Sequence, residues 1–196
     1  MATEMLTGYP AMVAAPFSRD VVRKYWLLHD MMRALALRRV ANVEFAGNDI
    51  HRQHVTWDDG AEVWANRGAS EWRVGGRTLP QYGFYARAPI SGGTVETAIE
   101  RQTAGTVEWS RSPDSYYFND RDGAAYRLTH QGEGWRVTAA PESAAFIARV
   151  PWTGPVPTEG TAIDESGTEL RRVPIRREGG ALTLSFDSKT FGYVLK

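Results

Sequence analysis

Residues 55–84, VTWDDGAEVWANRGASEWRVGGRTLPQYGF, alternate short runs of strand-forming residues with turn-forming breaks. Apolar and polar residues alternate up to Trp57, Asp59-Gly60 interrupts them, and a strand-like run resumes through Val63, Trp64 and Ala65. An Asp-Gly pair between two such runs predicts a hairpin, with both residues supplying the positive φ values of a type I′ turn. Further breaks follow at Gly75-Gly76 and Pro80. A chain built on this pattern is confined to antiparallel β architecture.

The pattern runs almost to the C-terminus. Strand-like runs from Val43 to Leu195 are separated by signals such as Ser91-Gly92-Gly93, Pro113-Asp114, Asp122-Gly123, Gly132-Glu133-Gly134 and Gly179-Gly180. A spacing of roughly 8–12 residues between turn signals predicts a sandwich or barrel. Residues 18–40 differ. Val21, Tyr25, Leu28, Met32 and Leu35 step by four, three, four and three, and Val22, Trp26, Leu27, Met31, Ala34 and Leu37 widen that apolar stripe. Ser18 stands at the N-cap, and Arg38 and Arg39 are placed to meet the C-terminal end of the helix dipole. The expected organisation is a flexible segment over 1–17, a strongly apolar helix over 18–41 and an antiparallel β-sandwich over 42–196: a mainly β fold with one long N-terminal helix. Residues 151–160, PWTGPVPTEG, read as a loop crossing between sheets or a short linker.

Composition narrows the function classes. The formal net charge is zero, so no global field draws in nucleic acid or an anionic membrane. Charge interrupts every apolar stretch well before the roughly 20 residues a bilayer demands. The N-terminus lacks the basic start and apolar core of a signal peptide, and the expectation is a soluble chain. With no cysteine, disulfides and thiolate metal sites are excluded. Serine nucleophile elbows, Walker loops and dinucleotide fingerprints do not occur.

One combination of segments has a known counterpart. The YWLLHDMM helix, the strand pair VTWDDGAEVWANRG, then W-x-V and LPQYGF follow one another between Tyr25 and Ala86, with a weaker echo in GGALTLSFDSKTFGYVL. This order resembles the C-terminal β-sandwich that follows the barrel in large bacterial glycoside hydrolases and glycosidase-like proteins. The matching positions are Asp59-Gly60, Val63 to Asn66, Trp72 and Leu79 to Phe84; the chain departs at Ala65, where the pattern has Val. No barrel precedes the segment in this sequence, so the resemblance carries over no catalytic carboxylates. It implies an accessory module that packs on a glycosidase catalytic domain or contacts glycan.

The candidate site follows from strand alternation. Val63 and Ala65 share one face of their strand; Glu62, Trp64 and Asn66 share the other, wetter one. Trp64 is therefore the expected exposed platform for a sugar ring, with Tyr82 as a further aromatic contact and Asn66, Arg67 and Gln81 to select hydroxyls. The competing reading places these aromatics in the core. A second hypothesis is a small glycan-active hydrolase using carboxylates near Asp58 and Glu62, although the turn already accounts for Asp58 and Asp59. Asp120 and Asp122 lie in NDRDG, where turn chemistry competes with a single structural calcium ion; no other metal or cofactor is expected. His51 and His54, three apart on a strand, point to opposite faces and do not share a metal. A third hypothesis is self-association, as a homo-oligomer, through the helix face of Val21, Tyr25, Leu28 and Met32.

Overall fold

The computed structural model describes residues 1–7, 18–103, 105–121 and 123–196. The chain is mainly β with one long helix, and every strand pairing among the described residues is antiparallel. It forms two compact units, Met1–Pro113 and Asp114–Lys196. This boundary falls inside the span that the turn pattern reads as one sandwich.

The first unit holds helices α1 (Ala2–Thr7) and α2 (Arg19–Leu35). Its strands are β1 (Val40–Phe45), β2 (Arg52–Trp57), β3 (Glu62–Asn66), β4 (Trp72–Val74), β5 (Arg77–Leu79), β6 (Phe84–Ile90), β7 (Gly93–Gln102) and β8 (Gly105–Ser112). The sheet order is β1-β2-β3-β6-β7-β8. The β4–β5 hairpin joins it at one registered pair, Thr78 with Arg101. Of the span expected to be flexible, residues 2–7 are helical and residues 8–17 lie outside the described set.

Helix α2 is the second layer of this unit. Val22, Leu27, Leu28, Met31, Met32 and Leu35 are buried, and α2 packs on β6, β7 and β8. Each such side chain contributes about 1.5–3 kcal/mol relative to exposure. The expected partner-binding stripe is thereby corrected: Leu28 and Met32 are spent on the chain's own sheet, Val21 is half-buried, and Tyr25 alone is exposed, its ring 4.5 Å from His29. Two polar contacts set the helix on the sheet. The Thr97 hydroxyl donates to the Leu27 carbonyl at 2.8 Å, and Arg23 Nε lies 3.1 Å from the fully buried Glu108 carboxylate. The helix ends at Leu35 rather than beyond Val40, because β1 begins there; Arg38 instead pairs with Asp59 and donates to the Pro89 carbonyl.

The second unit is the sandwich. Its strands are β9 (Ser115–Asn119), β10 (Ala125–Gln131), β11 (Gly134–Ala139), β12 (Phe146–Pro151), β13 (Glu159–Ile163), β14 (Glu169–Pro174), β15 (Arg176–Glu178), β16 (Ala181–Phe186) and β17 (Gly192–Leu195). One sheet runs β9-β10-β11-β17-β13-β14 and the other β12-β16-β15. Leu128, Val137, Tyr193 and Leu195 from the first meet Val150, Leu182, Leu184 and Phe186 from the second. Residues 151–160 leave β12 in one sheet and enter β13 in the other, which is the crossing loop, the first of the two readings their Pro and Gly content allows.

The turns correct one detail. Val74 pairs with Arg77 across Gly75-Gly76, both with positive φ, and Glu178 pairs with Ala181 across Gly179-Gly180 in the same way. These are the two-residue turns that need φ > 0 twice. At Asp59-Gly60 only the glycine has positive φ, +86°. The loop there has three residues, with Trp57 N–H bonded to the Ala61 carbonyl and Gly60 N–H to the Trp57 carbonyl. Asp59 keeps ordinary geometry and uses its carboxylate to accept the Ala61 N–H at 3.2 Å.

Candidate functional site

Two clusters of aromatic and charged side chains, one in each unit, are the candidate surfaces. In the first unit, strand register brings His54, Trp64, Tyr85, Ala98 and Trp109 onto one row of the sheet face opposite α2. The next row is charged and alternates in sign: Glu62, Arg87, Glu96 and Arg111. Arg87 Nε lies 3.0 Å from Glu62, Arg111 pairs with Glu96, and His54 Nε2 lies 3.4 Å from Glu62.

This row is closed upon itself. The rings of His54 and Trp64 stack at 4.5 Å and 7°, and those of Trp64 and Tyr85 at 5.5 Å and 12°. Both broad faces of the Trp64 indole are therefore covered, and a sugar cannot lie flat on either. That corrects the platform expected at Trp64, although its assignment to the face of Glu62 and Asn66 holds. Asn66 is corrected as well. It is fully buried, and its side-chain amide donates to the carbonyls of Ser70 and Leu79 at 2.9 Å and of Pro80 at 3.1 Å. Its amide oxygen accepts the Gly68 N–H at 3.1 Å. Asn66 ties the β4–β5 hairpin to the end of β3 rather than facing a ligand. Arg67 donates to the Ile50 carbonyl. Gln81 and Tyr82 are exposed, and Tyr82 has a φ of +60°, which an L-residue with a large side chain rarely takes.

The Asp58 and Glu62 alternative fares no better as an acid–base pair. Asp58 is exposed in the loop, its N–H bonded to the Arg39 carbonyl, and the Glu62 carboxylate is engaged by Arg87 and His54. The sequence pattern missed a more enclosed pair, Glu96 and Glu100, on β7. Tyr85 donates to Glu96 at 2.6 Å; Trp109 Nε1 and Arg77 each donate to Glu100 at 2.9 Å. Partial burial works to raise both carboxyl pKa values, but these donors and the neighbouring arginines outweigh it, and both lie below the ordinary carboxylate value. Both are ionised at neutral pH. Asp120 accepts the Gly123 N–H in a turn, and Asp122 lies outside the described residues. No group of three His, Asp or Glu among the described residues is placed to hold a metal.

The Tyr85 phenol is pushed up to about 12, first by burial and then by Glu96. The folded value exceeds the unfolded 10.0, so the native chain keeps a proton that the unfolded chain has lost. The stability this confers is whole below pH 10 and disappears as pH rises through 12. Urea unfolding at pH 9 and pH 12 is expected to show wild type losing more stability than Tyr85→Phe between the two.

In the second unit, a groove of about 520 Å³ lies beside the crossing loop. Leu128, Leu195 and Trp152 form its apolar base, Trp135 and Pro155 its walls, and Glu133 and Lys196 add one charge of each sign. Trp135, on β11, pairs in register with His130 of β10 on one side and Leu195 of β17 on the other. Its neighbours meet it edgewise, His130 at 4.8 Å and 62° and Trp152 at 5.6 Å and 73°. Among the described residues no ring lies flat on it, unlike Trp64. Trp152 is pinned by its indole N–H on the Pro155 carbonyl at 2.8 Å, which fixes the loop against the groove base. A second depression, about 570 Å³, has Asp164 and Asp187 on its lining. Asp187 accepts the N–H groups of Lys189 and Thr190 and is held at about 2; Asp164 is lowered by Ser166 and Thr168. Those carboxylates are turn caps.

Comparison with known protein families, curated proteins and solved structures found no match for this chain. Nor is any helix among the described residues long and apolar enough to cross a membrane.

Proposed function

We propose that the chain is a non-catalytic accessory module of a carbohydrate-active enzyme, and that it contacts glycan through the Trp135 groove of the second unit. The observation that supports this is an indole with no ring of the described residues stacked flat on it, in a groove of about 520 Å³ with a carboxylate and an ammonium beside it. That volume and mixture suit a small polar ligand with apolar faces. A sugar ring has such faces in its C–H bonds, and its hydroxyls need donors and acceptors of the kind Glu133 and Lys196 carry. The sequence resemblance supports placing such a module beside a catalytic domain.

Chemistry argues in the same direction. Glycoside hydrolysis by two carboxylates requires one of them protonated to serve as acid. Glu96, Glu100, Asp164 and Asp187 are all lowered, so each accepts hydrogen bonds as an anion.

The test is calorimetric titration with glucan, xylan and mannan hexasaccharides, run beside chromogenic glycosides of the same sugars. The expected result is saturable binding without release of chromophore, weakened about tenfold or more by Trp135→Ala, a loss of about 1.4 kcal/mol or more. Turnover abolished by Asp58→Asn or Glu62→Gln in a folded chain would overturn the reading.

A further inference from the structure

Arg77 occupies the first unit in the manner of a bound ligand. Its guanidinium carbon sits 4.2 Å from the centre of the Tyr85 ring and 5.0 Å from that of Trp109. Ala98 stands between those two rings in register, and its methyl leaves the space that the guanidinium takes. One guanidinium nitrogen lies 2.9 Å from Glu100 and another 4.0 Å from Glu96. Two aromatic faces and two carboxylates around one cation combine cation–π attraction with charge-assisted hydrogen bonding.

The surroundings do not depend on Arg77 for their shape. Glu96 is fixed by the Tyr85 hydroxyl and Arg111, and Glu100 by the Trp109 indole and Gln102. The element that delivers Arg77 is anchored at its base, where Leu79 is fully buried and Arg101 pairs with Glu71, and less so at its tip. Its base is tied by Asn66, but β5 meets β7 at one registered pair and the tip is Gly75-Gly76.

We propose that Tyr85, Trp109, Glu96 and Glu100 form a binding site for the guanidinium group of an arginine side chain, filled in the resting chain by Arg77 from the tip of the β4–β5 hairpin. A tethered group competes at an effective concentration in the millimolar range, so an outside arginine is excluded until the tip lifts. The site is separate from the Trp135 groove and does not rest on the glycan reading.

The experiment removes the tethered group and supplies a free one. Arg77→Ala, in the full chain, is expected to gain about 3 °C or more in unfolding midpoint with ~10 mM argininamide, while wild type does not move. A short blocked peptide carrying one arginine is expected to act as argininamide does. Citrullinamide, neutral and nearly the same shape, is expected to give no gain, and adding Glu100→Gln to Arg77→Ala is expected to abolish the argininamide effect. Argininamide acting no better than citrullinamide on Arg77→Ala overturns the proposal. If Arg77→Ala unfolds the first unit, argininamide is expected to restore its circular dichroism spectrum; failure to restore it overturns the proposal equally.

Discussion

Asn66→Asp is expected to destabilise the first unit by at least ~3 kcal/mol, although it changes neither size nor shape. The side-chain N–H groups now satisfy carbonyls of Ser70, Leu79 and Pro80 in a fully buried position. Aspartate would turn an acceptor toward the same three carbonyls and bury a charge among them. Asn66→Ala removes the amide without adding the charge and is expected to have a smaller effect. Urea unfolding followed by tryptophan fluorescence measures both. Equal losses for the two variants would mean that packing, not the donor set, matters at this position.

Gly83→Ala is expected to have an effect of similar size, about 3 kcal/mol, by overpacking a single methyl. A Cβ there would lie 2.6 Å from Pro80 Cδ, 2.7 Å from the Ile99 carbonyl oxygen and 2.9 Å from the Pro80 carbonyl oxygen. Two of the three are backbone atoms and cannot rotate away. Gly83 also donates to the Pro80 carbonyl and accepts the Asn66 backbone N–H, so the two positions share one hydrogen-bonded node. Their effects in the double variant are expected to fall short of the sum, since neighbours in one network are not additive. Thermal unfolding of the two single variants and the double variant tests this.

Much of the architecture follows from local chemistry and is therefore legible in sequence. Gly75-Gly76 and Gly179-Gly180 mark turns because two successive positive φ values suit glycine and little else. Period-two alternation places Glu62, Trp64 and Asn66 on one face of β3 without any knowledge of the neighbours. What alternation cannot supply is the next strand. His54 and Tyr85 flank Trp64 only because β2, β3 and β6 adopt one register, and that register turns an expected platform into a closed stack. Asn66 was readable as polar and outward-facing. Its burial comes from the hairpin and the LPQYG turn folding over the strand end, a tertiary event.

The second unit shows the same division. Residues 151–160 declare a crossing loop through Pro and Gly, yet the role of Trp152 beside Trp135 depends on strands far apart in sequence. One local signal was available: both tryptophans sit at strand ends beside Gly or Pro, after Gly134 and Pro151. The unit boundary at Pro113–Asp114 carries no mark beyond an ordinary turn, because strand grammar continues unchanged across it.

The first unit's Trp64 stack is closed, and the proposed glycan contact lies in the second unit. The seven tryptophans give seven indole N–H signals in the ¹⁵N-labelled chain. Titration with the same hexasaccharides is predicted to shift the signals of Trp135 and Trp152 and leave those of Trp64 and Trp109 in place. Shifts at Trp64 with Trp135 unmoved would contradict the account.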